Sequence, residues 1–136
     1  MAKRWLLKTE PGEYSFDDLV RDKATVWDGV RNPLALRYLR MIRKRDELFI
    51  YHTGNVRAVV GLARAVSDPY PDPTQQDPKL VVVDVAPTRK LARPTTLDAI
   101  KADAKFRGFE LIRLPRLSIM PVSDALWTRI LKMSDR

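Results

Sequence analysis

Residues 47–66, ELFIYHTGNVRAVVGLARAV, carry the reading on which the fold depends. Leu48, Phe49, Ile50 and Tyr51 precede Thr53-Gly54-Asn55, and Val59, Val60 and Leu62 follow it. Aromatic and β-branched residues suit a pleated, half-buried surface, whereas Gly and Asn supply the backbone conformations of turns. A third run, 79–86 (KLVVVDVA), has the same character. Segments 47–52, 57–66 and 79–86 are therefore predicted as strands, and together they form the sheet.

Upstream, RWLLKT at 4–9 alternates Trp5 and Leu7 with Leu6 and Lys8, and Pro11-Gly12 ends this further strand. Ser15 with Asp18 three residues on resembles a capping box, predicting a helix over 15–21 with Phe16, Leu19 and Val20 inward. Asn32 can cap a helix that starts at Pro33 and runs to Lys44. Leu34, Ala35, Tyr38, Leu39, Met41 and Ile42 share its apolar arc; Arg37, Arg40, Arg43 and Lys44 occupy the other, and Leu36 falls outside the pattern.

Downstream, residues 67–78 (SDPYPDPTQQDP) form a surface loop of variable conformation. Thr95 or Thr96 caps a helix through Lys105, with Leu97, Ile100 and Ala104 inward and Gly108 at its end. Residues 109–114 resume a strand. Ser123 caps a last helix whose Leu126, Trp127, Ile130 and Leu131 face the body. Helices inserted irregularly among strands do not follow the alternation of a doubly wound sheet. The expected class is α+β, with a strongly bent sheet or small barrel.

At 136 residues the chain fits one domain, 1–136. The N-terminal MAKRWLLKTEP has too short an apolar run for a secretory segment, and no stretch reaches membrane-spanning length, so a cytoplasmic location is expected. With no cysteine and one histidine, disulfides, thiolate or His-rich metal sites and zinc-dependent base deamination are excluded. GNVRAVVG and WDGVRN match neither the phosphate loop nor the dinucleotide fingerprint, so no cofactor is expected. Lys and Arg number 25 against 17 acids, and a net charge of +8 favours a polyanionic partner.

His52 is the general-base candidate, with Glu10 or Asp28 as partner acid, but such a constellation must be assembled in space. Glu10 and Asp28 also stand in loops beside Lys8 and Arg31, where they can form salt bridges. A third role is recognition: a carboxylate accepts from the exocyclic amine of cytosine while Trp27 or Tyr51 stacks on the ring.

KTEP at 8–11, YSFDDL at 14–19, WDGVRN at 27–32, YHTGN at 51–55, YPD at 70–72 and RLSIMPV at 116–122 together resemble the EVE domain family. The resemblance runs from Trp5 to the last helix. It implies a PUA-like fold, a bent and mostly antiparallel β pseudo-barrel flanked by helices, related to domains that bind RNA or modified DNA. It also implies a cleft for an extruded base such as methylated or hydroxymethylated cytosine. Carried onto this chain, the base pocket draws on Lys8, Thr9, Glu10, Trp27, Asp28, Gly29, Asn32, Tyr51, His52, Thr53 and Ser118. Arg31, Arg37, Arg40 and Lys44 then track the phosphates. The expected function is a non-catalytic reader of a modified base in DNA or RNA. Its rivals are a protein-interaction module and a small hydrolase built on His52.

Overall fold

The computed structural model describes residues 2–135. Among them the order is β1 (Arg4–Thr9), α1 (Phe16–Asp22), β2 (Thr25–Trp27), α2 (Pro33–Met41), β3 (Glu47–His52), β4 (Ala58–Ala65), β5 (Tyr70–Pro71), β6 (Val81–Thr96), α3 (Leu97–Lys101), α4 (Glu110–Arg113), β7 (Ile119–Pro121) and α5 (Asp124–Ser134). The strands lie in the order β2-β6-β4-β3-β1-β7, with β5 also on β6. Only β1 and β3 run parallel; the other pairs are antiparallel. The class is α+β, a curled, PUA-like pseudo-barrel flanked by helices.

Curling comes from β6 and β4. The sixteen-residue β6 pairs with β5, β2 and β4 along its length, and its register against β4 shifts between Val59 and Gly61 and again between Leu62 and Ala63. Such bulges bend a strand and increase its twist. Gly61 lies at the first shift, where an added Cβ would stand 2.4 Å from the Phe16 ring, so glycine is what allows α1 to lie against the sheet there. The central strands are covered on both faces, which explains why LFIY at 48–51 reads as a continuous apolar run rather than an alternating one. On one side Phe49 stacks on Trp127 of α5 at 3.7 Å between centroids; on the other Phe16 and Leu19 of α1 close the core.

One buried carboxylate ties this core together. Asp46, 3% exposed, accepts from the Trp5 indole Nε1 at 2.9 Å, from the Lys3 N–H at 2.8 Å and from the Arg43 N–H at 2.9 Å. The bond to Arg43 helps turn the chain out of α2, which ends at Met41 rather than at residue 44.

Tertiary packing revises several local expectations. Leu36 is buried whereas Met41 is 44% exposed, because α2 turns the stripe Ala35, Leu36, Leu39 and Ile42 to the core. Val20 is 50% exposed, since the two-turn α1 makes its contact through Phe16 and Leu19. Residues 109–114 are not a strand. Phe109 O accepts from Ile112 N and Arg113 N, forming the helical turn of α4, and the place beside β1 is taken by β7. The helix after Thr96 stops at Lys101; a 3-10 turn over Ala104–Phe106 follows, burying Phe106 and leaving Ala104 exposed. β6 continues ten residues past 86 despite Pro87 and Pro94, Pro87 lying at a register shift where a missing N–H is tolerated. In the 67–78 loop, Tyr70 and Pro71 pair with Val82 and Val81. The Tyr70 hydroxyl donates to Asp84 Oδ1 at 2.6 Å, and that carboxylate pushes the phenol pKa up to about 12.

Candidate nucleic-acid interface

β2 builds the site. Thr25-Val26-Trp27 pairs with β6 at the barrel's edge, and the chain then turns at Gly29, whose φ of 76° lies in the region that favours glycine. This places Trp27 and Asp28 beside the end of β1 and the loop into α1. Between them lies a recess of about 280 Å³, lined by Thr9, Glu13, Tyr14, Thr25, Val26, Trp27 and Asp28. Trp27 is 8% exposed, so its indole belongs to the core and also borders the recess. Asp28 is exposed and borders a second recess, about 130 Å³, with Gly29, Arg31, Asp72, Thr74 and Gln75 among its lining.

Several predicted site residues brace the recess. The Thr9 hydroxyl donates to Tyr14 O at 2.7 Å, and Thr53 N donates to Thr9 O at 3.0 Å. Glu10 Oε1 accepts from Gly12 N at 2.7 Å, and its other oxygen lies where a Cβ on Gly54 would be only 2.7 Å away. The carboxylate thus holds the turn at Gly12 and packs closely against Gly54 of the β3–β4 turn. Asn32 Oδ1 accepts from the N–H groups of Leu34 and Ala35, both at 3.0 Å, as the cap of α2.

His52 is a brace as well. Its Nε2 accepts from Phe16 N at 3.0 Å, satisfying a helix-start N–H that the Ser15–Asp18 capping box leaves over. The nitrogen a general base would use is already committed, and the acceptor role requires the tautomer with its proton on Nδ1. Burial lowers the His52 pKa, against the opposing pull of Asp17 and Glu10. Below its ordinary value of 6.5 the unfolded chain takes the proton before the folded chain does, so this contribution is present at neutral pH and lost as pH falls through the folded pKa. Urea midpoints measured between about pH 7.5 and about pH 5.5 should fall for the wild type and fall less for His52→Gln, which keeps an acceptor but has no proton to gain. Equal slopes would show that His52 does not titrate on folding.

Lys8, Tyr51 and Ser118 lie elsewhere. Successive strand residues face opposite sides, and Lys8 is paired in register with Tyr51 while Thr9 is paired with His52. The Lys8 ammonium stands 5.5 Å from the Tyr51 ring and donates to Pro115 O at 2.9 Å; Lys8 N donates to Ser118 O. Burial pushes the Lys8 pKa down and the Tyr51 pKa up. The predicted set therefore divides. Thr9, Trp27 and Asp28 meet at the recess and Gly29 at its neighbour; Glu10, Asn32, His52 and Thr53 hold loops; Lys8 and Tyr51 occupy the opposite face of the sheet.

Glu13, Tyr14 and Thr25 also line the recess and are not among the site residues expected from the sequence. Thr25-Val26-Trp27 is itself a short β-favouring run, and that signal locates all of β2. Of the phosphate-tracking set, Arg31 lines the second recess, and Arg37, Arg40 and Lys44 are exposed along and just beyond α2. The Arg40 guanidinium donates to Lys79 O, next to Leu80 in the second recess wall, and Lys44 N donates to Asp68 Oδ1. A cationic path thus leads from the recesses along α2. No helix among the described residues is long and apolar enough to cross a membrane.

The EVE domain family matches the chain over residues 3–133. Thymocyte nuclear protein 1 of Mus musculus is 30% identical over 169 residues, covering 99% of this chain and 75% of that protein. The NMR structure of Rpa0253 from Rhodopseudomonas palustris superimposes with a TM-score of 0.93 at 34% identity, over 98% of this chain and 94% of that one. The crystal structure of human THYN1 protein in complex with DNA containing 5-methylcytosine gives a TM-score of 0.91 at 27% identity, over 99% of both chains. By sequence along nearly its whole length and by its fold, the chain belongs to the EVE domain family.

Proposed function

We propose that the protein is a nucleic-acid-binding module that reads a modified base, such as methylated or hydroxymethylated cytosine, in the recess beside Trp27. The observation that carries this reading is the recess itself: an indole wall, an exposed carboxylate at Asp28 and a cationic path leading away along α2. Its volume of about 280 Å³ is near the lower end of ligand pockets, suiting one planar ring rather than a dinucleotide. The complex of human THYN1 with DNA containing 5-methylcytosine supports the same reading through a homologous fold.

The steps follow from the groups present. Arg31, Arg37, Arg40 and Lys44 attract the phosphate backbone without regard to sequence. A base taken out of its stack costs a few kcal/mol, offset by contact with the indole wall and by the hydrogen bond its amine donates to Asp28. A methyl or hydroxymethyl group is then discriminated by shape, on the scale of about 10- to 200-fold.

Fluorescence titration of labelled DNA and RNA strands carrying unmodified, methylated or hydroxymethylated cytosine, at two salt concentrations, tests the proposal. Affinity for every strand should fall with salt while the ratio of modified to unmodified stays constant, because counterion release depends on the backbone and discrimination on the recess. Equal affinity for all three bases at both salts would reject base reading.

A further inference from the structure

We propose a second docking surface at the other end of β1, a groove along α5 that takes an acidic, amphipathic peptide segment of a partner protein. It goes beyond the base-reading function and uses none of its residues. The base recess lies at Thr9 and the groove begins at Arg4, so the strand separates them by about 17 Å, at about 3.3 Å per residue. Both can be filled at once.

The groove has two hollows with Leu126 in the wall of both. The larger, about 730 Å³, has Trp5, Met41, Phe109, Val122 and Leu126 in its floor. The smaller, about 440 Å³, continues past Leu126 along the α5 face that carries Ala125, Thr128 and Lys132. Met41, pushed out of the core by the rotation of α2, is an exposed large apolar side chain in this floor.

The rim is cationic. Arg4 is already held, by Asp124 at 2.8 Å, by Glu47 at 3.3 Å and over the Trp127 ring at 5.4 Å; Arg129 is held by Asp103 at 2.8 Å. Lys3, Lys105, Arg107 and Lys132 also line the hollows, and among the described residues they enter no ion pair. The exposed side chain of Arg107 stands on the rim near Glu110.

The two linings carry Lys3, Arg4, Lys105, Arg107, Arg129 and Lys132 against Glu110 and Asp124, and an apolar floor within this net cationic rim complements a segment that has an apolar stripe flanked by carboxylates, the helix-in-groove mode of peptide recognition. A nucleic acid fits less well. Single strands bind on stacking platforms, and Trp5 at 1% and Phe109 at 3% exposure present less ring surface than Trp27 at 8%. The eleven residues of α5 span about 16 Å at 1.5 Å per residue, a match for about three turns of a partner helix.

Fluorescence anisotropy of the full protein tests this with a labelled 15-residue probe peptide, leucine at helical spacing and glutamate elsewhere, against the same composition in scrambled order. The patterned peptide should bind and the scrambled one bind about tenfold more weakly. Met41→Glu and Arg107→Glu, each at an exposed position, should each weaken the patterned peptide by about tenfold, with unchanged circular dichroism melting. Arg107→Glu should leave affinity for the modified strand unchanged. Equal binding of the two peptides, insensitivity to both substitutions, or displacement of the peptide by an unmodified oligonucleotide at equal concentration would overturn the assignment.

Discussion

Asp28→Ala should weaken binding of a strand carrying methylated cytosine by about 10- to 100-fold, the scale of a hydrogen bond to a charged group, about 1.5–3 kcal/mol. Asp28 is exposed, so its removal leaves the core intact and the thermal midpoint near that of the wild type. The exocyclic amine of cytosine is a donor, and the carboxylate is an acceptor only. Asp28→Asn keeps one acceptor oxygen without the charge and should fall between wild type and alanine. The informative control is a strand with thymine in place of the methylated cytosine. Thymine carries the methyl group but presents an acceptor where cytosine presents the amine, so the loss on Asp28→Ala should disappear. If thymine and methylated cytosine lose affinity equally, Asp28 acts through general electrostatics and not on the base edge. Trp27→Ala is a poorer test, since removing a nearly buried indole costs about 3–5 kcal/mol of stability on its own.

Asp46→Ala should cost the fold about 3–4 kcal/mol of stability. The carboxylate receives the Trp5 indole N–H and the backbone N–H groups of Lys3 and Arg43, and truncation leaves these donors without their acceptor around a buried cavity. Asp46→Asn is the graded companion. If the amide oxygen takes the position shared by the Trp5 and Arg43 bonds, the amide nitrogen meets the Lys3 N–H, donor against donor. Chemical denaturation should give the order wild type, asparagine, alanine in falling midpoint, with m unchanged. An alanine variant within about 1 kcal/mol of the wild type would mean that solvent replaces the lost acceptor.

Much of the fold was legible because its signals are local. The Ser15–Asp18 capping box, the Asn32-Pro33 helix start and the Ser123 cap each appear where residue type and spacing place them. The two runs of residues 47–66 pair as β3 and β4, because β-branched and aromatic residues suit a buried sheet whatever their partners. The motifs from KTEP to RLSIMPV were sufficient to reach the EVE domain family, which matches 3–133.

Segment 109–114 is not decided by its residues, since four apolar side chains among six satisfy a strand and a helical turn equally and only the occupancy of the sheet edge by β7 separates them. The tail of β6 is undecided for the opposite reason: polar residues and two prolines enter the sheet because β4 is there to pair with them.

By itself the sequence determined the α+β class, the helix starts, the basic character and the family, all of which depend on neighbours along the chain or on the order of motifs. Only the tertiary structure decided which of those residues share a cavity. Lys8, Thr9 and Glu10 are consecutive, yet Lys8 covers Tyr51 on one face, Thr9 borders the recess on the other, and Glu10 clasps a turn. Strand residues alternate faces, and the recess closes only when β2, from a different part of the chain, is brought beside the end of β1.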